Sequence, residues 1–402
     1  MCAHADTPRR IGRRWIGSDA HRAGHRRFHS GASVIRIFLA AGETSGDIHG
    51  ANLVRALRAA DADVVCEGLG GPRMAEAGMA LREDLAGRAI MGFAEVARSL
   101  PYIRRVFRET EAHLAKTRPD CVVLIDYPGF NMRLAAKAKA MGLRVAYYIS
   151  PQVWAWKAGR VRTLARIVDK MLVILPFEEK LYREAGVDCV FVGHPLMDQL
   201  ETAPVEGIYR GGLVVGLLPG SREQEIRRLM QPMIDVARGI RAAYPEARFI
   251  APCVNAAREA QVRALAGDFP LETATGRMYE VLDAARFCLV ASGTATLETA
   301  LFGVPMAILY KTGRLNYWIA RRLVRISHIG LANILAGRGI VPEFIQEQAA
   351  SDVILPVALE LMADTPRRKQ MLEDLTLLRA ALGGSGASKR AAGAILDVAR
   401  NK

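Results

Sequence analysis

Long uninterrupted apolar runs are missing from this 402-residue sequence. A membrane-spanning helix needs about 20 consecutive apolar residues, so the absence excludes a conventional transmembrane protein. Hydrophobic residues nevertheless make up 51% of the chain, and its mean hydropathy is +0.11, so a large core and contact with a membrane surface are both compatible with it. The length predicts about two domains.

Cysteine is also scarce, and its spacing excludes two kinds of site. The six cysteines lie far apart, and no pair has the C-x-x-C spacing of zinc ribbons or redox motifs. Cys121 and Cys288 open apolar runs, where a free thiol behaves as a small hydrophobe. The pattern predicts a reducing compartment with neither disulfides nor a zinc site.

The first 33 residues lack the apolar segment of a secretory signal. Seven arginines against two aspartates give them a net charge of +5, out of +14 for the whole chain. We expect residues 1–33 to form a disordered basic tail that precedes the natural start of the chain near Val34; a basic membrane-touching arm is the alternative. The basic balance indicates an anionic partner, namely nucleic acid, anionic lipid or a phosphate-rich substrate.

Short β-branched runs alternate with helical patterns from residue 35 onward. The first series predicts strands at 35–41, 64–69, 121–125, 144–149, 171–175 and 189–192, and the second at 213–218, 248–251, 287–290 and 306–309. Apolar strands separated by amphipathic helices are typical of a parallel sheet covered on both faces. We therefore predict two doubly wound, Rossmann-like α/β domains that face each other across a cleft, followed by a helical C-terminus.

A stretch rich in glycine and proline between the two series predicts the domain boundaries. We place the N-terminal domain at 34–193, a linker at 194–212, the C-terminal domain at 213–380 and a final helix at 381–402. Whether this helix packs back on the N-terminal domain is left open.

Acidic and polar residues follow two predicted strands of the first half. The segment 42–47 (GETSGD) contains Glu43 and Ser45, and Asp126 ends a buried strand. Because ligands bind at the carboxyl ends of parallel strands, we expect these side chains to face the cleft. A partly desolvated Asp126 has a raised pKa and can serve as a general base, with Glu43 and His194 as rival candidates. Simple helix capping is the alternative for Asp126.

Three glycine-containing turns of the second half open helices, and two of them follow predicted strands. These two, 218–222 (LPGSR) and 291–298 (ASGTATLE), offer free N–H groups and the Arg222 guanidinium to a diphosphate. Glu298 falls one turn into its helix, where a carboxylate can bind ribose hydroxyls, and the third turn is expected to line the base. The predicted nucleotide site contains Gly220, Ser221, Arg222, Gly276, Arg277, Met278, Ser292, Gly293, Thr294 and Glu298.

Patterns for a dinucleotide cofactor or a metal are absent or misplaced. The segment 42–47 does not have the G-x-G-x-x-G pattern. Asp61 and Asp63 have a D-x-D metal-binding spacing, but they precede a strand and so lie away from the expected site. We therefore expect neither a metal nor a cofactor. Trp154 and Trp156 follow a strand, where they either line the cleft or pack in the core.

Nine segments together resemble the lipid-A-disaccharide synthase family of Gram-negative bacteria. In chain order they are AGETSGD (41–47), GGPRM (70–74), IMGFAEV (90–96), SPQVWAW (150–156), LPFE (175–178), VGHP (192–195), LPGSR (218–222), ASGTATLE (291–298) and NILAGR (333–338). The set in this order is highly specific, and the resemblance runs from about residue 35 to the C-terminal helices. One departure is Gly129, where some relatives carry a second acid, and this favours Asp126 as the base.

The resemblance implies a GT-B fold, with the acceptor and membrane on the N-terminal domain and the UDP-sugar in the C-terminal domain. It implies an inverting, metal-independent transfer from UDP-2,3-diacylglucosamine to 2,3-diacylglucosamine 1-phosphate (lipid X), which gives lipid A disaccharide 1-phosphate and UDP. Inversion needs one base for the acceptor's 6-hydroxyl, and Asp126 is the candidate. Glu43, Ser45 and Asn333 are expected to complete the acceptor site.

Acylated substrates imply a cytoplasmic enzyme peripherally associated with the cytoplasmic leaflet of the inner membrane. The segment 90–107 mixes apolar residues with arginines, as an interfacial helix on anionic lipid does. Its expected membrane contacts are Val96, Leu100, Ile103, Arg104 and Arg105; an ordinary amphipathic helix packed on the sheet is the alternative. We expect no nucleic-acid partner, and a homodimer is left open.

The sequence leaves two rival functions. One is another GT-B-like enzyme that acts on a UDP-sugar, such as an N-acetylglucosaminyl transferase or a 2-epimerase. The other is a non-enzymatic basic module that binds nucleic acid or an anionic membrane. Carboxylates at strand ends disfavour the module, because binding to an anion needs no such group in the cleft.

Overall fold

Two parallel sheets, each flanked by helices, organise the chain. The computed structural model describes residues 34–87, 93–151, 159–203, 205–313, 317 and 327–401. Within these ranges, seven strands form the first sheet and six form the second, and all neighbouring strands run parallel. This arrangement confirms the predicted class of two parallel-sheet α/β domains, whereas the residue limits of the domains stay a prediction.

The first half of the chain supplies the seven-stranded sheet. Its strands are β1 Arg36–Ala41, β2 Val65–Gly70, β3 Ala80–Asp84, β4 Cys121–Ile125, β5 Val145–Tyr148, β6 Lys170–Val173 and β7 Cys189–Phe191. Its helices are α1 Thr44–Ala60, α2 Pro72–Glu76, α3 Phe93–Thr117, α4 Pro128–Ala140, α5 Gly159–Ile167, α6 Pro176–Glu184 and α7 Pro195–Thr202. The strand order is β3-β2-β1-β4-β5-β6-β7.

The second half supplies the six-stranded sheet. Its strands are β8 Val214–Leu218, β9 Arg248–Cys253, β10 Leu271–Thr275, β11 Ala285–Ala291, β12 Met306–Tyr310 and β13 Glu343–Ile345, in the order β10-β9-β8-β11-β12-β13. Its helices are α8 Glu223–Ala243, α9 Ala256–Ala266, α10 Met278–Ala284, α11 Thr294–Leu301, α12 Leu331–Ala336, α13 Ser351–Met362, α14 Pro366–Ala381 and α15 Ala387–Arg400.

Different groups of buried side chains cover the two faces of the first sheet. One face packs against α1 and α15 through residues such as Leu53 and Ile395. The opposite face packs against α3, α4, α5 and α6 through residues such as Val106 and Leu134. The last helix thus returns to the first sheet, and its first N–H groups bond to the carboxylate of Asp198 on α7. Both faces of the central strands are buried, which explains their continuous apolar sequence.

Each sheet reverses its strand order at one point. In the first sheet, β1 lies between β2 and β4, and Ala41 pairs with Ile125 at the carboxyl ends. In the second sheet, β8 lies between β9 and β11, and Leu218 pairs with Val290. In each sheet, the connections after the two strands at this point run to opposite sides. A crevice therefore opens at the carboxyl ends of these strands, where doubly wound proteins bind ligands.

The predicted buried strands are confirmed, but three strands were not predicted. β3, β10 and β13 lie at sheet edges, where partly exposed residues replace a continuous apolar run. Helix α1 begins at Thr44, because Glu43 takes the N-cap position with an extended backbone. Across the described ranges, no helix combines the length and apolar character needed to cross a membrane.

Candidate functional site

Two carboxylates meet at the switch point of the first sheet. Glu43 directly follows the loop after β1, and Asp126 follows β4, the strand that pairs with β1. The two groups are close enough for the charge of Glu43 to raise the pKa of Asp126. Ser45 lies exposed in the first turn of α1, on the same edge of the sheet.

The backbone of Asp126 has a conformation that residues other than glycine rarely adopt. Its φ is 47° and that of Tyr127 is 49°, both in the left-handed region. The Asp126 carbonyl accepts hydrogen bonds from the Tyr147 hydroxyl at 2.7 Å and from Asn131 Nδ2 at 2.8 Å. Such strain costs about 1–3 kcal/mol per residue and persists where the surroundings enforce it, commonly at functional sites. No sequence pattern predicted that Tyr147 and Asn131 hold this turn.

The surroundings of Asp126 make its carboxylate unusually basic. Burial, and secondarily the charge of Glu43, raise the pKa of Asp126 to about 6, although a hydrogen bond from the Tyr127 N–H opposes the shift. A carboxyl group with this pKa is mostly ionised at neutral pH, and it accepts a proton more readily than an ordinary aspartate. The environment therefore suits a general base.

Two other residues of the 42–47 segment have structural roles. A Cβ added to Gly42 would lie 2.2 Å from the Tyr127 ring, so this close approach requires glycine. Asp47 is buried, and its carboxylate accepts three hydrogen bonds from N–H groups of the 71–74 turn, the shortest at 2.9 Å. Asp47 therefore joins two of the family-like segments beside the candidate base.

His194, the rival base, lies in a poor environment for that role. The side chain is buried, and its Nδ1 accepts a hydrogen bond from the Leu196 N–H at 3.2 Å. Burial, with a smaller contribution from His49, lowers the pKa of His194 to about 3. An imidazole of such low basicity takes up a proton poorly at neutral pH. The geometry therefore favours Asp126, and the choice of base stays a prediction.

The loop at 219–222 is held by a carboxylate of the helix that it opens. Glu225 Oε2 accepts hydrogen bonds from the N–H groups of Ser221 and Arg222, both at 3.2 Å. Glu225 Oε1 accepts a 2.7 Å hydrogen bond from the Arg222 guanidinium. Gly220 has a φ of 108°, and an added Cβ would lie 2.5 Å from Glu225. Arg222 is thus exposed at the helix start as predicted, but it has an internal partner that the sequence analysis missed.

The loop after β11 opens the second predicted donor helix. Gly293 and Thr294 are exposed, whereas the Ser292 hydroxyl donates a 3.1 Å hydrogen bond to the Ile329 carbonyl. This bond fixes the loop, and it leaves the N–H groups at the start of α11 as the candidates for binding an anion. The third turn lies after β10: Gly276 and Arg277 are exposed, and Met278 packs against the core of the second half.

Glu298 is half-buried on α11, one turn beyond the loop. Its Oε1 accepts a hydrogen bond from the Tyr279 hydroxyl at 3.1 Å, and burial raises the pKa of Glu298. Tyr279 was not among the predicted site residues, although it directly follows the predicted 276–278 turn. Only the fold brings the β10–α10 connection to α11.

Asn333, the third predicted acceptor-side residue, is fully buried. Its Nδ2 donates hydrogen bonds to the Val341 carbonyl and Glu343 Oε1, at 2.8 and 2.7 Å. Its Oδ1 accepts from the N–H groups of Ile340 and Val341. These bonds use the hydrogen-bonding capacity of the amide within the protein. The arrangement organises the 338–343 loop, and a direct acceptor contact by Asn333 stays a prediction.

The predicted membrane residues on α3 have different environments. Leu100 is 41% exposed, and Arg104 is also exposed. Ile103 is half-buried against the core, and Arg105 forms ion pairs with Glu83 and Glu109. The side chain of Val96 lies outside the described residues. Leu100 and Arg104 are therefore the predicted contacts that the structure leaves most accessible.

Asp61 and Asp63 lie at the amino end of β2, on the edge of the sheet opposite Glu43. Asp61 accepts hydrogen bonds from the Asp63 N–H at 3.1 Å and from Arg400 of α15 at 2.7 Å. In the part of the chain that the structure describes, no group of three or more His, Cys, Asp or Glu residues is placed to hold a metal ion. Trp154 and Trp156 lie outside the described residues.

Comparison with known proteins decides the family. The model of the family described as Lipid-A-disaccharide synthetase matches residues 37–397. This chain belongs to that family. It is 41% identical over 372 residues to the lipid-A-disaccharide synthase of Geobacter sulfurreducens, and the alignment covers 90% of this chain and 97% of that protein. Like other lipid-A-disaccharide synthetases, the protein is a UDP-sugar-dependent glycosyltransferase of lipid A biosynthesis, as the sequence predicted.

Solved structures agree with the predicted GT-B fold. The glycotransferase of kitacinnamycin is similar with a TM-score of 0.62 and 16% identity, over 90% of this chain and 98% of that one. The UDP-GlcNAc 2-epimerase of Neisseria meningitidis, bound to UDP-GlcNAc, has a TM-score of 0.60 and 12% identity, over 90% and 100% of the two chains. At such low identity these similarities show the fold alone. Family membership, and not the shared fold, therefore assigns this chain to glycosyl transfer.

Proposed function

We propose that this enzyme transfers 2,3-diacylglucosamine from UDP to the 6-hydroxyl of lipid X, with Asp126 as the general base. The observation that supports the proposal best is the Asp126 carboxylate at the β1/β4 switch point, where its pKa is raised to about 6. The two loops whose N–H groups are proposed to bind the diphosphate follow β8 and β11, the strands at the switch point of the other sheet. In this proposal the first sheet carries the general base, and the second sheet carries the groups that stabilise the UDP leaving group.

In the proposed reaction the acceptor oxygen attacks the anomeric carbon on the side opposite UDP. The new C–O bond forms while the bond to the UDP oxygen breaks, and the proton of the 6-hydroxyl passes to Asp126. Negative charge that develops on UDP is stabilised by N–H groups at the starts of α8 and α11 and by Arg222. Glu43 and Ser45, on the edge of the sheet that carries Asp126, are proposed to bind the acceptor sugar.

A turnover assay tests the proposal directly. The purified full chain is incubated with UDP-2,3-diacylglucosamine and lipid X, and mass spectrometry identifies the products. The proposal requires the disaccharide 1-phosphate and UDP in equal amounts. UDP-N-acetylglucosamine as donor serves as the control for a less specific UDP-sugar enzyme. Turnover of that donor at the rate of the acylated donor would contradict the proposed substrate class.

We expect Arg222→Ala to weaken UDP binding about tenfold. This is the lower end of the effect of a hydrogen bond to a charged group, because Glu225 already shares the guanidinium in the free protein. Isothermal titration calorimetry with UDP measures the change. Arg227→Ala is the matched control, since it removes the same charge from an exposed position on α8. Equal affinities of both variants would place the diphosphate elsewhere.

We also propose that the enzyme acts at the cytoplasmic face of the inner membrane, where Leu100 and Arg104 of α3 contact the lipid surface. Both substrates carry acyl chains, so the acceptor site must approach a bilayer. Apolar and cationic side chains on one helix suit an anionic lipid interface. Leu100 and Arg104 suit such an interface because both side chains are exposed and lie one helical turn apart.

The double variant Leu100→Ser/Arg104→Ser should bind phosphatidylglycerol vesicles roughly tenfold more weakly, because it loses apolar contact and one positive charge. Sedimentation with the vesicles measures binding, and activity on detergent-dispersed substrate should be retained. Leu377→Ser is the control, since Leu377 is an exposed leucine on α14, far along the chain. Unchanged vesicle binding by the folded double variant would rule out this surface.

A further inference from the structure

A tyrosine that joins two segments of the donor domain has no assigned role. Tyr279 lies in the first turn of α10, and Glu298 lies on α11, nineteen positions later in the chain. Helix α10 follows the edge strand β10 and packs against β8 and β9, so it lies over the centre of the sheet. The two side chains meet there through the 3.1 Å hydrogen bond from the Tyr279 hydroxyl to Glu298 Oε1.

We infer that Tyr279 is a positioning residue for the donor nucleotide: it fixes the Glu298 carboxylate so that Oε2 receives the ribose hydroxyls. The inference rests on the proposed donor site. Among the residues that the structure describes, Oε1 has the Tyr279 hydroxyl as its donor and Oε2 has none. A carboxylate with one oxygen held loses rotational freedom before the ligand arrives, so less entropy is lost on binding.

The tyrosine itself is held in place by packing. Its ring lies against Phe302, with 5.5 Å between ring centroids and an interplanar angle of 34°, and it contacts the core of the second half. The ring therefore keeps its position if the hydroxyl alone is removed. Tyr279→Phe is consequently a specific test of the hydrogen bond.

Without the Tyr279 hydroxyl, the Glu298 carboxylate would also be a poorer ribose ligand because it would lack a hydrogen-bond donor. Glu298 is half-buried, and a buried carboxylate that lacks hydrogen-bond donors is disfavoured in its charged form. The Tyr279 hydroxyl supplies one donor, and the ribose would supply the others. Tyr279 would thus favour a ribonucleotide through Glu298, without contacting the nucleotide itself.

Calorimetry with UDP and with 2′,3′-dideoxy-UDP tests the inference on the full chain. Tyr279→Phe should reduce UDP affinity about five- to tenfold, the usual effect of one hydrogen bond, and should change dideoxy-UDP affinity less than about twofold. Because Tyr279 acts through Glu298, the double variant Tyr279→Phe/Glu298→Ala should bind UDP no more weakly than Glu298→Ala alone. Tyr244→Phe, at the end of α8, is the matched control and should behave as wild type.

Three results would overturn the inference. Equal losses for both nucleotides would mean that Tyr279 supports the fold of the site and does not act on the ribose contact. Additive losses in the double variant would mean that it acts independently of Glu298, and wild-type affinity in Tyr279→Phe would mean that it does not act at all. A wild-type chain that fails to bind UDP would instead overturn the proposed donor site, which separates the two failures.

Discussion

Asp126→Asn should lower kcat by at least about a hundredfold, and by up to about ten-thousandfold, which is the range found for loss of a general base. Asparagine has nearly the same shape, and the contacts that hold this turn reach the Asp126 carbonyl rather than its carboxylate. The left-handed turn should therefore persist in the variant. UDP affinity should be unchanged, because the nucleotide is expected at the second sheet.

The opposite end of the same strand provides the control. Asp120 precedes β4, and its carboxylate accepts a hydrogen bond from the Arg36 N–H at the amino edge of the sheet. Asp120→Asn makes the same chemical change away from the cleft and should keep turnover close to wild type. The decisive measurements are product formation from lipid X and calorimetry with UDP. Near-normal turnover by Asp126→Asn would remove Asp126 from the mechanism and return attention to Glu43 and His194.

The second large effect is an acid limit on turnover: kcat/KM, which reports the pKa values of the free enzyme, should fall about tenfold for each pH unit below about 6. The direction follows from the chemistry, since the base must be ionised to accept the proton of the acceptor hydroxyl. The pKa of Asp126 is raised above its ordinary value, so the active form predominates above pH 6 and is lost as pH falls through that value. Rates measured at substrate concentrations well below KM give kcat/KM, and measurements between pH 4.5 and 8, a range chosen to bracket this pKa, test the expectation.

Glu43→Gln provides a specific check on that assignment. The charge of Glu43 is the second cause of the raised pKa of Asp126, after burial. Removing this charge should move the acid limb to lower pH, because the ionised form of Asp126 becomes easier to reach. An acid limb that stays in place in Glu43→Gln, or that persists in Asp126→Asn, would assign the titration to another group.

The segments proposed to bind donor and acceptor were predicted from local patterns, and their placement followed from the topology. Glycine turns after apolar runs predicted 42–47, 218–222 and 291–298, and the structure puts all three at switch points. Their internal contacts could not be predicted. Glu225 sits only three residues after Arg222, yet a sequence does not reveal which charged neighbours of a guanidinium will pair with it. Edge strands such as β3 escaped prediction because half-exposed strands lack the continuous apolar signal.

The sequence by itself determined the α/β class, the buried strands, the turns that carry the candidate residues and, through nine ordered segments, the family. Those properties depend on residues close together in the chain. Tertiary structure alone decided that Glu43 lies beside Asp126, that Tyr147 secures the Asp126 turn, and that Tyr279 reaches Glu298. These contacts join distant positions, and their effects on pKa and strain depend on burial. Burial and spatial proximity come from the packing of whole elements, which no local pattern contains.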